Sequence, residues 1–385
     1  MIIGVPKESY PGERRVALVP SIIPLLTKAS LEILVEPSAG ESAGFPDHAY
    51  VEKGARIAAS REQLFSDVDI LLQVRSPGAA GDAGRADLET LRADHTIIGF
   101  SEPLGEPKTA EIVAAKGIRS FSMELIPRIT RAQSMDALSS MATIAGYKAV
   151  ILAAETLPRM FPMMMTAAGT ITPARVFVVG AGVAGLQAIA SARRLGARVE
   201  AYDVRPAVQE QVESLGASFV ELPLDTSESE DAGGYAKAQD ESVLERQREM
   251  MTRVVANSDV VITTALIPGK TAPILVTTDM VAGMKSGAVV VDLAAERGGN
   301  CEVTRADEVV VSNGVTILGP SNLPATVPYH ASQMYAKNIS ALLLHLIKDS
   351  TLLLDLDEEI TAGTLVSHNG EVIHPRVKAL LESAS

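Results

Sequence analysis

Residues Arg175 to Asp203, RVFVVGAGVAGLQAIASARRLGARVEAYD, constrain this chain more than any other stretch. The β-branched apolar run Val176-Phe177-Val178-Val179 reads as a buried strand. It leads into Gly180-Ala181-Gly182-Val183-Ala184-Gly185, then a helix-forming segment from Leu186 to Leu195, then a second apolar strand ending on Asp203. That order is a βαβ unit whose first turn receives a dinucleotide. Gly180 permits the tight turn. Gly182, without a Cβ, lets the backbone approach a pyrophosphate, and Gly185 lets the helix pack close to the strand. The helix start offers free N–H groups and the positive end of its dipole to the phosphates. Asp203 is placed to accept hydrogen bonds from the adenosine ribose, with Val204 and Arg205 directly beyond it. A 2′-phosphate would meet like charge there, which favours NAD(H) over NADP(H); the neighbouring Arg205 works against that preference. Glycines alone also mark ordinary turns. Here the strand, the helix and the terminal acid all fall in place.

The first ~130 residues alternate strand-like runs (Ile2–Val5, Glu32–Val35, Ile70–Val74, Ile97–Phe100, Arg119–Ser122) with helical stretches such as Ser21–Ala29 and Leu88–Ala93, a pattern that predicts a parallel sheet covered on both faces. No glycine turn follows Val5; Pro6-Lys7-Glu8 stands there instead. Asp136 to Arg159 reads as one long helix between domains. Pro162 and Met163-Met164-Met165 end it, with the methionines expected to fill core space. After the fingerprint unit, a helix (208–215) and strands at 218–222, 260–265, 288–293 and 315–319 are expected. Pro324 to Lys348 reads as a helical return, and Ile360–His374 as two short strands around Asn369-Gly370. The expectation is an α/β protein of two Rossmann-like domains with parallel sheets, joined by long helices, with a cofactor cleft between them. The N-terminal domain is discontinuous, residues 1–135 with 327–385; the dinucleotide domain spans 136–326 and includes its connecting helix.

Residues 225–250 carry eight acidic and three basic side chains. They read as a long loop of the kind that forms lids, hinged at Gly233-Gly234 and tipped by Tyr235. Its alternative is a solvated excursion with no role. The run Arg128-Ile-Thr-Arg131-Ala-Gln133-Ser134-Met-Asp136-Ala-Leu-Ser139 is dense in hydrogen-bonding side chains that could clamp a carboxamide and its ribose. Asp136 and the serines serve equally as helix caps. Thr264-Ala265-Leu266 ends a strand where ligands of α/β folds sit. Cys301, the single cysteine, reads as buried and structural, in a reducing compartment. No Cys/His cluster has metal-ligand spacing, so no metal is expected. The net charge of −13 argues against a nucleic-acid partner. The opening Met1–Pro6 reads as a strand, not a signal peptide. The longest apolar run, Ala341–Ile347, falls well short of the ~20 residues that span a bilayer, so a soluble chain is expected.

PRITRAQSMDALSS, FPMMMTAAGT, GAGVAGLQAIA, DAGGYAK, TTALIPGK, VDLAAERGGNC and the opening PKE…GERRVALVP together resemble the NAD(H)-binding subunits of proton-translocating NAD(P) transhydrogenases, through nearly the whole chain. The resemblance implies that Arg128, Gln133, Asp136 and Ser139 form the nicotinamide site. It places family tyrosines on Tyr147 and, in the mobile loop beside Gly234, on Tyr235, and the ribose acid on Asp203. It also implies a homodimer that docks on an NADP(H)-binding subunit, itself joined to a membrane proton channel. Such a chain would lie in the cytoplasm, peripheral to the inner membrane. Alanine dehydrogenase is the more distant likeness and the alternative activity. That family's N-terminal arginine is matched by Arg15, but Arg75 stands in place of its lysine, Ser101-Glu102-Pro103 where it has a histidine, and Glu296 where it has an aspartate. Arginine is a poor substitute for a lysine that must give up a proton. Hydride transfer between two nicotinamides needs no general acid or base, so the missing proton relay fits a transhydrogenase. An NAD-sensing module without chemistry is the non-enzymatic alternative.

Overall fold

The computed structural model describes residues 1–221, 241–266 and 269–383. Two compact units result: Met1–Met141 with Pro324–Ser385, and Ala142–Leu323.

The first unit is built on an eight-stranded sheet in the order 371–372, 365–368, 119–122, 96–100, 70–75, 2–5, 32–35 and 56–57. The six strands from 119–122 to 56–57 are parallel. Leu365–His368 and Glu371–Val372 add an antiparallel hairpin at one edge, turned at Asn369-Gly370 with both residues at positive φ. Ile70–Arg75 is central and buried along nearly its whole length, as a doubly covered parallel strand requires. Two elements differ from expectation. The helix expected at Leu88–Ala93 runs instead over Gly81–Thr90. Its glycines look like breakers, yet Gly84 is closely packed: a Cβ there would lie 3.1 Å from Pro77 Cα. Its buried Asp87 turns inward to receive Arg61 at 2.7 Å. The stretch before Leu365, read as strand, forms the short helix Glu359–Thr364, capped by the Glu358 side chain on Thr361 N–H.

The second unit holds a seven-stranded sheet in the order 218–219, 198–202, 175–179, 260–263, 289–292, 315–318 and 309–312. All pairings are parallel except the last. Along Arg175–Val179 the side chains alternate between two cores. Val176 and Val178 pack with Ala188, Ile189 and Ala192 of the helix Val183–Arg194. Phe177 and Val179 pack with Met251, Val255 and Met280 on the other face. From Arg175–Val179 the chain moves outward to one side, then returns to pair Val260–Thr263 on the other. Strand order therefore reverses at the fingerprint strand, and the crevice at its C-terminal end is where such sheets take ligands.

Ala137–Thr156 is a single helix of 20 residues, and the division between the units falls within it. By length and composition it is the one helix among the described residues apolar enough to cross a bilayer, a candidate longer than the run at Ala341–Ile347. Lys148 and Glu155 interrupt it, and Ala149, Val150 and Ala153 bury in the core of the second unit.

The three methionines that follow do not fill core space. Met163, Met164 and Met165 are 60%, 38% and 79% exposed. Met164–Thr166 and Gly169–Ile171 form a β-hairpin in which every residue from 163 to 172 is exposed. Phe161 takes the core position instead, with its carbonyl accepting from Ala174 N–H where the hairpin closes. The loop expected over 225–250 is also shorter than that span, because the helix Glu241–Asn257 begins inside it.

Candidate functional site

The glycine turn is stitched to its neighbours from three directions. Gly180 N–H donates to Tyr202 carbonyl at 2.8 Å, Thr264 Oγ1 donates to Gly180 carbonyl at 3.0 Å, and Ala181 N–H donates to Asp203 Oδ2 at 2.7 Å. The three fingerprint glycines are glycine for different reasons. At Gly180, φ is +98° and a Cβ would lie 2.5 Å from Thr264 Oγ1. At Gly185 a Cβ would fall 1.8 Å from Gly180 carbonyl oxygen. At Gly182 a Cβ would meet nothing within 4 Å among the described residues, and φ −75°, ψ −168° suits any residue. Internal packing thus explains the first and third glycines but not the second. Gly182 caps the helix Val183–Arg194 with no side chain on its first N–H groups. An open surface at a helix N-terminus is what a pyrophosphate requires.

Around that opening the structure places several expected residues. Val183 and Leu266 are 43% and 41% exposed; Ala184 is half-buried and Val204 packs against the neighbouring core. Thr264 N–H donates to Val179 carbonyl at 2.8 Å, fixing Thr264-Ala265-Leu266 beside the glycine turn. Asn300, in the Gly298-Gly299-Asn300-Cys301 segment of the VDLAAERGGNC motif, is central to this loop. Fully buried, it accepts from Ala265 N–H at 2.9 Å and donates to the carbonyls of Ala265 and Pro273 at 2.8 and 2.9 Å. The preceding Gly298 and Gly299 both sit at positive φ, the tight turn that brings Asn300 back. Cys301 is buried, and loss of solvation pushes its thiol up, away from reactivity. Gly146 carries no sequence signal: a Cβ there would lie 2.1 Å from Ala184 carbonyl oxygen. This close approach of the long helix to the fingerprint helix leaves Tyr147, next in sequence, 45% exposed. Gly234 and Tyr235 lie outside the described residues.

In the first unit, Thr130–Met135 forms a 3-10 turn anchored by buried Ala132 and Met135. Asn338 Nδ2 donates to Ser134 carbonyl at 2.9 Å, and Arg131 pairs with Glu358 at 2.8 Å. Arg128 and Gln133 are both exposed. Asp136 caps the long helix, accepting from Ser139 N–H at 2.8 Å and from Ser139 Oγ at 2.5 Å. The capping role is therefore realised, and Asp136 and Ser139 form one hydrogen-bonded pair close in sequence to Gln133.

Of the positions compared with alanine dehydrogenase, Arg15, Arg75 and Ser101 belong to a part-buried cluster of the first unit, and Glu296 lies in the second unit. Arg15 donates to both carboxylate oxygens of Glu13, at 2.7 and 2.6 Å. Arg75 reaches Glu13 at 3.2 Å and lies 4.3 Å above the Tyr10 ring. Ser101 N–H donates to Glu124 at 2.8 Å. Among the described residues no group of three or more His, Cys, Asp or Glu is placed to hold a metal ion.

This cluster makes stability depend on pH. Loss of solvation, reinforced by Glu13, pushes the Glu8 carboxyl up to about 8 against hydrogen bonds from the Val74 and Arg75 amides. Loss of solvation likewise pushes Glu124 up to about 7. The folded chain then keeps protons that the unfolded chain releases near 4.5. Their contribution is whole below that pH and is lost as pH rises toward about 7 and 8. Glu8→Gln is therefore expected to flatten the fall in melting temperature between roughly pH 5 and 8. An unchanged slope would remove Glu8 from the explanation.

The profile described as alanine dehydrogenase/PNT, N-terminal domain, matches residues 4–145, and the corresponding C-terminal domain matches 149–375. Over 378 residues the chain is 44% identical to the Rhodospirillum rubrum protein that forms the first part of an NAD(P) transhydrogenase alpha subunit, covering 97% of this chain and 98% of that one. It belongs to the alanine dehydrogenase/PNT family, on the NAD(P) transhydrogenase alpha-subunit branch. A subunit alpha from Cereibacter sphaeroides is also 44% identical, with 97% of this chain matching 71% of that longer protein. The solved transhydrogenase of Sinorhizobium meliloti superposes with a TM-score of 0.84 at 41% identity, covering 97% and 99% of the two chains. Alanine dehydrogenase lies further off within the family: the Mycolicibacterium smegmatis enzyme is 27% identical over 98% of this chain and 96% of its own. A solved L-alanine dehydrogenase, 25% identical with full coverage of both chains, superposes at 0.82. The α/β fold with two parallel-dominated sheets is thus common to both branches.

Proposed function

We propose that this chain binds NAD(H) on the glycine turn of its second unit and presents it for direct hydride transfer to NADP+ held by a separate subunit. The observation that carries this reading is Gly182, whose missing side chain opens onto space at the turn that Asp203 fastens through Ala181 N–H. The backbone N–H groups after Gly182 hold the pyrophosphate, Asp203 the adenosine ribose, and Thr264, Ala265, Leu266 and Tyr147 the surrounding wall. Arg128, Gln133 and the Asp136–Ser139 pair orient the carboxamide and its ribose. The bound dihydronicotinamide supplies the hydride. This chain contributes orientation and exclusion of water, and no proton relay. Arg75 and Ser101, where an alanine dehydrogenase needs proton-transferring groups, support this reading over the amino-acid one.

Two assays test it. NADH should reduce an NADP+ analogue only when the NADP(H)-binding subunit is added, and NAD+ with L-alanine should give no turnover. Turnover with alanine at an enzymatic rate would replace the proposal with its alternative. The Gln133 role has its own test. Gln133→Asn keeps the amide but shortens its reach by one methylene; it should slow transfer about 100-fold and leave NADH affinity within about threefold. Collapse of affinity with unaltered transfer in the bound state would make Gln133 an affinity residue.

The same proposal places the chain in a homodimer, peripheral to a membrane through an NADP(H)-binding subunit and a proton-channel subunit. Relatives named as an alpha subunit, or as the first portion of one, support a larger assembly. The hairpin at 163–172 supports the dimer. A lone two-stranded hairpin is marginal in water, and this one exposes three methionines and Ile171. Covering it with a second copy removes that apolar surface from water. Met165→Asp with Ile171→Asp should weaken dimerisation at least ~10-fold in sedimentation equilibrium. An unchanged dimer would move the interface elsewhere.

A further inference from the structure

Asp203 is not a bare carboxylate awaiting a ribose. Arg205 lies two residues beyond it and grips it side-on: Nε to Oδ1 at 2.9 Å, Nη2 to Oδ2 at 2.9 Å, with the Arg205 amide also on Oδ1 at 2.9 Å. The side chains are 16% and 6% exposed. The guanidinium is therefore held at the site where an adenosine 2′-substituent arrives, with its inward donors engaged by the acid. In this fold an acid at the end of the second strand selects a 2′-hydroxyl, and an arginine nearby accommodates a 2′-phosphate. This chain carries both, paired with each other.

We propose that Arg205 is a latent 2′-phosphate site kept closed by Asp203, so that the pair decides between NAD(H) and NADP(H). The inference rests on the NAD(H) reading above and deepens it. With Asp203 intact, a 2′-phosphate meets a carboxylate, and the guanidinium that could receive it is already engaged. With Asp203 removed, two donors of a planar fork face the incoming phosphate, the geometry in which arginine binds that group best. A protein that hands hydride to NADP+ gains from such a device, because its own site must not fill with the partner's nucleotide.

The test is a binding measurement on the full chain without partners, using NADH, NADPH, 5′-AMP and 2′,5′-ADP as titrants. Wild type should bind NADH and 5′-AMP in preference to NADPH and 2′,5′-ADP. Asp203→Ser should weaken NADH and tighten NADPH and 2′,5′-ADP at least ~10-fold each. Asp203→Asn keeps an acceptor for Ala181 N–H, so it guards against loss of the turn itself, and it should move selectivity in the same direction. Adding Arg205→Gln to either variant should abolish the gain, and Arg205→Gln alone should leave NADPH excluded. Folded Asp203 variants that gain no 2′-phosphate affinity would overturn the inference, as would a gain that survives Arg205→Gln. Wild type that binds neither NADH nor 5′-AMP would instead sink the NAD(H) reading and this inference together.

Discussion

Gly182→Val should cost this chain at least ~100-fold in NADH affinity while its melting temperature moves by no more than about 4 °C. The two effects separate because a Cβ at Gly182 meets no described atom within 4 Å, so the substitution asks little of the described fold. The stability cost is that of exchanging glycine for a poor N-cap residue, about 1 kcal/mol. For the nucleotide, the valine methyl groups occupy the volume in which the pyrophosphate contacts the helix N-terminus, and those N–H groups lose their ligand. Thermal unfolding with NADH titration checks both halves. A variant that binds NADH like wild type would remove the glycine turn from the site.

Gly185→Ala should show the opposite division. Its new methyl would lie 1.8 Å from Gly180 carbonyl oxygen and 3.3 Å from Thr264 Oγ1. Neither neighbour can withdraw, since the Gly180 carbonyl accepts from Thr264 Oγ1 and the turn is tied to Tyr202. The helix must lift off the strand, at a cost of about 3 kcal/mol or more, a loss of roughly 6–12 °C. Nucleotide binding then falls as a consequence of a distorted turn. A Gly185→Ala protein of unchanged stability would mean that the helix does not pack on the strand as described.

These two glycines show what was legible in the sequence. Gly180, Gly182 and Gly185 stand at a spacing that a strand–turn–helix uses in this way, and Asp203 closes the unit at the right distance. Parallel sheets were legible for the same reason: buried strands such as Ile70–Arg75 are largely apolar and alternate with helices. What escaped reading depends on long-range contacts. The GGNC motif points to Asn300 but not to its partner Ala265, 35 positions away, and Gly146 meets Ala184 through the packing of two helices, a contact that leaves no local pattern. The methionines mislead for another reason. Residues 163–165 are as apolar as any core segment, and composition alone does not distinguish an exposed hairpin from a buried strand. Asp136 and Ser139 stay ambiguous in sequence because a helix cap and a carboxamide clamp require the same side chains, and a single residue can serve as both.

The central claim is that hydride passes between nucleotides without a proton relay in this chain. Deuterium at C4 of NADH, followed into NADPH after the NADP(H)-binding subunit is added, tests it most directly. The account predicts that the label arrives in NADPH without dilution by solvent hydrogen. Loss of the label to water, or its delivery to pyruvate and ammonium by the chain alone, would contradict it.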